Sequence, residues 1–236
     1  MGHGTHVGGI IGAQGNNNIG VTGTCWNITL VSLRICNSQG QIATSDIVNA
    51  VNYATQQSIP ILNCSVGFYN YSPELEQAIS IYPGLFVCAA GNDETCTDLF
   101  PEWPMGYNCD NILTVGASNS DDELYISNDG LNNGSNYGKF SVDIFAPGVN
   151  ILSTYPIELC KNNTLDPTKH VKEGYHTTSG TSMASPYVAG VAALLLSKNP
   201  FLSISDLKDI ILNNSDNVIN QDGNTVFGDM CVSGGR

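Results

Sequence analysis

The stretch of sequence with the clearest capacity for chemistry sets a serine among glycines and small residues. It reads Thr-Ser-Gly-Thr-Ser-Met-Ala-Ser-Pro over residues 178–186. An almost wholly apolar run over residues 183–196 predicts a buried helix with Ser182 at its amino end. Unpaired N–H groups at such an end stabilise negative charge, so Ser182 could act as a nucleophile. A serine that merely caps a buried helix is the alternative.

A second stretch, near the start of the chain, places His3 among glycines. It reads Gly-His-Gly-Thr-His-Val-Gly-Gly over residues 2–9 and predicts the start of another helix of small residues. A histidine there could take the proton of a serine nucleophile. His6 follows three residues later, but no third ligand motif accompanies the pair, and zinc peptidases place a glutamate between their histidines. We therefore expect His6 to be structural.

These two stretches, with Ala-Ala-Gly-Asn over residues 89–92 between them, resemble the subtilisin-like serine peptidases, the subtilase family. The resemblance follows the family's order over nearly the whole chain. It implies that Ser182 is the nucleophile, that His3 is its base and that the Asn92 amide is an oxyanion donor. An asparagine after a glycine is otherwise a common turn residue. The implied reaction is hydrolysis of polypeptides through an acyl-enzyme.

The resemblance also implies where a peptide substrate binds. Two strand ends are expected to line the cleft: Ser65, Val66 and Gly67 after one strand, and Ala89, Ala90 and Gly91 after the next. The first set would pair with the peptide as a strand does, and both would wall the pocket for the residue before the cut. A loop edge formed by Gly40, Gln41 and Ile42 would also pair with the substrate. Without the resemblance, these are ends of buried strands and a surface turn.

A polar loop at residues 15–23 offers oxygen atoms to a hard cation. It is similar to the calcium loop that follows the histidine helix in many subtilases. The implied ligands of a structural calcium ion are the Asn17 side chain and the carbonyls of Gly15, Ile19 and Val21. An ordinary turn of asparagine and glycine is the alternative.

Subtilases carry their catalytic aspartate on a strand before the histidine, and here only Met1 and Gly2 precede His3. No aspartate of this chain is assigned that role. We expect a piece of a longer protein that lacks the first strand, is trimmed at its carboxyl end and has a propeptide upstream. Its activity in this form is expected to be weak or absent. The alternative is a non-catalytic peptide-binding module that keeps the cleft.

Alternating strand and helix patterns predict one three-layer α/β domain over residues 1–236, built on a mostly parallel sheet. The predicted strands span residues 28–36, 59–66, 84–90, 111–117 and 139–146. The predicted helices span residues 44–56 and 73–81, with a last one ending near residue 212 and capped by Ser203 or Ser205. Residues 156–173 are expected to form an exposed excursion, with His170 and His176 solvated. The site is expected at the carboxyl ends of the strands.

The charge and the absence of long apolar runs exclude several classes of partner. Twenty-one acidic residues against 8 basic ones give a net charge of −13, which disfavours binding to nucleic acid and to anionic membranes. No run of about eighteen apolar residues is present, so no membrane span is expected. We expect a monomer.

The eight cysteines and six glycosylation sequons suggest a secreted protein or one of the secretory lumen. The sequons begin at Asn27, Asn63, Asn70, Asn133, Asn162 and Asn213. Cys96 and Cys109 bracket a loop and are the first predicted disulfide, with Cys160–Cys231 as the second. Cys64 and Cys88 lie in apolar runs, where a reduced thiol is expected.

Overall fold

The computed structural model describes residues 2–127, 133–161, 174–219 and 224–236. Within them the helices are α1 His3–Gly12, α2 Thr44–Gln56, α3 Pro73–Ile81, α4 Ile157–Lys161, α5 Thr181–Lys198 and α6 Ile204–Asn213. The strands are β1 Ile61–Cys64, β2 Leu85–Ala89, β3 Ile112–Ser118, β4 Ile144–Pro147, β5 Ile151–Thr154 and β6 Tyr175–Thr178.

Four parallel strands form the central sheet in the order β1-β2-β3-β4. Side chains of β2 alternate between its faces, as a strand buried on both sides requires. Phe86 and Cys88 pack against α2 and α3, whereas Leu85 and Val87 pack against α5 and α6. The predicted three-layer α/β arrangement is therefore confirmed.

Helix α5 lies in the core beside the sheet and contacts all four of its strands. Small residues allow this close approach. A Cβ atom at Gly190 would lie 2.5 Å from Thr24 Cβ, so the polypeptide after α1 passes directly over this part of the helix. The amino end of α5 is thereby fixed relative to both the sheet and α1.

Helix α1 is attached to a separate antiparallel pair, β5 and β6. His6 is fully buried, and its Nε2 lies 3.0 Å from the carbonyls of Ile151 and His176, one on each strand. Because both neighbours are acceptors, Nε2 carries the proton. Ser153 in turn donates to the His6 carbonyl at 2.7 Å. His6 thus joins the helix to the hairpin, which agrees with a structural role.

Several sequence predictions about strands were wrong. Residues 28–35 form no strand, and Cys36 makes only an isolated bridge to Ile42, because no described segment pairs with this stretch. The strand predicted at 139–146 begins only at Ile144, since a turn occupies residues 139–141. The sequence did not predict the β5–β6 pair, because residues 151–154 pair with residues 175–178 and local sequence does not specify such a distant partner.

Two other predictions failed in the region of the predicted excursion. His176 is buried on β6 with its ring 4.8 Å from that of Tyr155, so the prediction that it is solvated was wrong. Residues 157–161 form the short helix α4. His170 lies outside the described residues.

Neither predicted disulfide forms, and no cysteine is joined to another by a disulfide in the structure. The Cys109 thiol contacts the Glu76 carbonyl, while Cys96 lies on a bridge to Tyr137. The Cys231 thiol is buried against the carbonyls of Phe227 and Gly235. Burial raises the pKa of Cys64 to about 12, as expected for a reduced core thiol.

Candidate active site

Ser182 is the second residue of α5, and no side chain of the helix itself caps this end. Gly180 precedes the helix with a φ of 144°, a conformation that glycine tolerates. The Ser182 hydroxyl donates instead to the Ser65 carbonyl at 3.2 Å. The interpretation of Ser182 as a simple helix cap is therefore wrong.

The cap of α5 comes from Asn92, which follows β2. Asn92 Oδ1 accepts the Thr181 N–H at 2.8 Å and the Thr181 hydroxyl at 3.1 Å. Because two donors meet this atom, the hydrogen-bond network assigns it as the oxygen. The Asn92 Nδ2 group makes no hydrogen bond to the described residues and is a spare donor beside the start of α5. An oxyanion site needs such a donor.

A proline within α5 explains how the Ser182 backbone is held. Pro186 has no N–H, so the carbonyl of Ser182 loses its usual partner within the helix. The Ser65 hydroxyl donates to that carbonyl at 3.1 Å and lies 2.9 Å from Ser185 Oγ. Ser65 therefore contacts Ser182 through both its side chain and its backbone. The end of β1 and the start of α5 form one rigid corner.

His3 begins α1, and its helix packs against α5 near Ser182. Val7 and Ile10 of α1 form a buried cluster with Met183, the residue after Ser182. His3 lies one helical turn before Val7, on the same side of α1. Desolvation lowers the pKa of His3, although the residue is exposed to solvent. A lowered pKa keeps the imidazole neutral and able to accept a proton.

The two predicted strand ends do lie beside α5, but their backbone groups differ in availability. The Gly91 N–H donates to Thr181 Oγ1, and its carbonyl accepts the Asn136 N–H. The Ala90 N–H and carbonyl are bound to Val115 and Asn136. In contrast, no hydrogen bond from the described residues engages the backbone of Gly67. Strand-like pairing with a peptide is therefore more accessible at residues 65–67 than at 89–91.

The predicted loop edge is an exposed turn that is stabilised by its own residues. Asn37 Oδ1 accepts the N–H groups of Gln39 and Gln41, and Gly40 has a φ of 83°. Ile42 pairs with Cys36. The hydrogen bonds described for this turn are internal, and none reaches Asn92 or α5.

The residues predicted to bind calcium lie in one loop, which offers a metal ion only uncharged oxygen ligands. Asn17 Oδ1 accepts the Ile19 N–H at 3.0 Å, so part of its capacity is used within the turn. No carboxylate lies between residues 13 and 27. Within the described residues, no group of three or more His, Cys, Asp or Glu side chains could hold a metal. The loop alone does not fit the charged ligand set that calcium favours.

Sequence reasoning missed two buried residues that hold the Asn92 loop. Asn136 is fully buried, and its Oδ1 accepts the N–H groups of Asp93 and Thr95. Its Nδ2 donates to Glu102 Oε1 at 2.7 Å. Glu102 stands alone in the apolar stretch Phe-Pro-Glu-Trp-Pro-Met, and a single acid in such a setting is the signal that could have found it.

Comparisons with known proteins agree with this geometry. The sequence profile of the Subtilase family matches residues 1–229. Subtilisin DY of Bacillus licheniformis is 35% identical over 227 residues, covering 92% of this chain and 71% of that protein. A thermophilic serine proteinase of Bacillus sp. (strain AK1) is 35% identical over 199 residues, covering 83% of this chain but only 43% of that protein.

A solved structure gives the same result. The crystal structure of a cold-adapted subtilisin-like serine proteinase matches with a TM-score of 0.72 and 29% identity, covering 98% of this chain and 74% of that one. Among the described residues, no helix is both long enough and apolar enough to cross a membrane. The fold is thus shared with a serine proteinase, and the sequence match identifies the chain as a member of the Subtilase family.

Proposed function

Because the chain belongs to the subtilase family, we propose that its Ser182 corner is the active site of a serine endopeptidase. The observation that carries this proposal is the hydrogen bond from Thr181 N–H to Asn92 Oδ1 at 2.8 Å. It leaves the Asn92 Nδ2 donor beside the start of α5, where no hydrogen bond from the described residues engages the Ser182 N–H. Two donors at that place suit the oxyanion of a tetrahedral intermediate.

In the proposed mechanism, Ser182 Oγ leaves its hydrogen bond with the Ser65 carbonyl and attacks the carbonyl carbon of the scissile peptide bond. His3 takes the serine proton and returns it to the leaving amine. The Asn92 Nδ2 group and the Ser182 N–H hold the oxyanion. Water then releases the acyl group by the same route. A peptide that pairs with residues 65–67 would present its carbonyl to Ser182.

Covalent labelling tests the proposed nucleophile without requiring turnover. We expect an alkyl fluorophosphonate to add to Ser182, as located by mass spectrometry of a digest. Ser182→Ala should remove the label. Ser197→Ala is the matched control because Ser197 is an exposed serine near the other end of the same helix, and it should keep the label.

The labelling outcome decides between the two candidate functions. If the folded protein is not labelled at Ser182 and cleaves no peptide, the endopeptidase proposal fails. Continued binding of peptides in that case would support the non-catalytic module. Within the described residues no carboxylate contacts His3, so the proposal assigns no acid to orient the imidazole.

Several further expectations accompany this proposal. A single domain, a monomeric state, an upstream propeptide and calcium binding with additional ligands from outside the loop stay predictions. Secretion is supported by the sequons, although Asn63 lies within β1 with its amide bonded to Ser65, which does not suit a glycan. The cysteines form no disulfide in the structure and so add no support for secretion.

A further inference from the structure

A buried carboxyl group lies between the two strand ends of the proposed peptide cleft. Glu102 retains only 7% of its exposed surface. A Cβ atom at Gly91 would lie 3.0 Å from Glu102 Oε2, and one at Gly67 would lie 3.7 Å from the same oxygen. The Glu102 carboxyl therefore lies beside the backbones of both Gly91 and Gly67, while the Asn136 amide, 2.3 Å from the same Cβ position, fills the space at Gly91.

One oxygen of this carboxyl is fixed, and the other lacks a donor. Oε1 accepts the Asn136 amide at 2.7 Å, and Asn136 is itself fully buried and hydrogen-bonded on all sides. Oε2 accepts no N–H or O–H from the described residues. The negative charge of Asp93 acts on this carboxyl and raises its pKa. Asp93 also accepts the Tyr69 hydroxyl at 3.2 Å.

No cation within the described residues neutralises these two acids. Lys139 pairs with Asp229 and Arg236 pairs with Asp122. Burial, with Asp93 facing the group, raises the pKa of Glu102 to about 7 despite the Asn136 hydrogen bond. A buried carboxyl with an open oxygen and no cation in the protein is a site for a cation from a ligand.

The surroundings of Glu102 fit a long side chain with a charged end. The Met105 methyl would lie 3.2 Å from a Cβ atom at Gly67, so an apolar group lies beside the same glycine as the carboxyl. The stem of a lysine or arginine packs on apolar surface while its head meets a carboxylate. The net charge of −13 attracts such peptides to the protein.

We propose that Glu102 selects polypeptides with lysine or arginine at the residue before the scissile bond. This inference rests on the proposed function, since it takes the cleft beside Ser182 as the peptide site. It names the substrate class of that cleft. The alternative is that Glu102 only supports Asn136.

Binding of two matched peptides to the Ser182→Ala protein tests the proposal independently of turnover. The peptides differ only in lysine or norleucine before the scissile bond, so their stems are alike and one carries charge. By titration calorimetry at pH 8, we expect the lysine peptide to bind about 10- to 100-fold more tightly. Adding Glu102→Gln should reduce the ratio to near one, and Glu102→Asp should retain part of it.

Asp209→Asn is the control for net charge because Asp209 is an exposed acid on α6, and it should leave the ratio unchanged. Equal binding of the two peptides, or a lysine preference that survives Glu102→Gln, would overturn the proposal. Binding of neither peptide would overturn it together with the proposed cleft. The lysine preference could be lost in Glu102→Gln while the protein with Ser182 is not labelled by the fluorophosphonate. In that case Glu102 still selects basic peptides, and the peptidase proposal fails.

Discussion

Replacement of Glu102 by glutamine should make the protein more stable above neutral pH. Glutamine keeps an oxygen for the Asn136 amide but cannot ionise. The pKa of Glu102 rises from 4.5 to about 7 on folding because burial and then Asp93 disfavour its charge. The folded state therefore holds this proton more tightly than the unfolded state. Its stabilising effect is complete below about pH 4.5 and is lost as the pH rises to 7.

The size of the effect follows from the same interval. The rise in the pKa of Glu102 from 4.5 to about 7 corresponds to at most about 3 kcal/mol, at about 1.36 kcal/mol for each pKa unit. Because buried charges in proteins are screened more strongly than in a dry low-dielectric medium, we expect about 1–2 kcal/mol. Relative to the parent, the free energy of unfolding of Glu102→Gln should thus rise by this amount between pH 5 and pH 8.

Urea unfolding followed by tryptophan fluorescence measures this difference. Both proteins should carry Ser182→Ala so that proteolysis cannot intervene, and Asp209→Asn serves as the control for a lost surface charge. The two histidines that titrate in this range contribute equally to parent and variant and cancel in the comparison. Parallel stability curves from pH 5 to pH 8 would refute the reasoning, because they would show that Glu102 ionises normally in the folded protein.

Two further predictions concern the start and the middle of α5. Asn92→Ala should lower kcat for peptide hydrolysis by roughly 10²- to 10³-fold with little change in KM, a range established by removing such a donor in a subtilisin. An unchanged kcat would remove Asn92 from the oxyanion site. Gly190→Ala should destabilise the protein by about 1–3 kcal/mol, because its Cβ atom would lie 2.5 Å from Thr24 Cβ. Ala189→Gly, at the neighbouring position of the helix, is the comparison variant. If Gly190→Ala leaves the urea midpoint unchanged, the segment around Thr24 can move aside without cost and the prediction fails.

Elements with strong local signals were predictable from the sequence. Helix α3 starts at Pro73 because Ser72 accepts the Leu75 N–H as a cap and acids follow in the first turn. Ser203 is the cap of α6, which selects one of two alternatives that the sequence left open. The order of Ser182, His3 and Asn92 along the chain led to the family, which the comparisons confirm.

Features that depend on distant contacts were not predictable in this way. Residues 28–35 have the composition of a strand, but a strand also needs a neighbour, which local sequence does not specify. Glu102 and Asn136 are 34 residues apart, and only the folded loops bring them together beneath Gly91. Their importance becomes visible through burial and shared hydrogen bonds rather than through any motif.

The way Asn92 is held also bears on the chemical ageing of the protein. Asparagine deamidates when the next backbone nitrogen attacks the side-chain carbonyl carbon. Here the Asp93 N–H is bound to Asn136 Oδ1 at 2.9 Å, and Asn92 Oδ1 is bound to Thr181. Both reacting groups are thereby kept out of position for ring closure. The contacts that orient this amide are therefore expected to slow its deamidation, which would put a negative charge at the proposed oxyanion site.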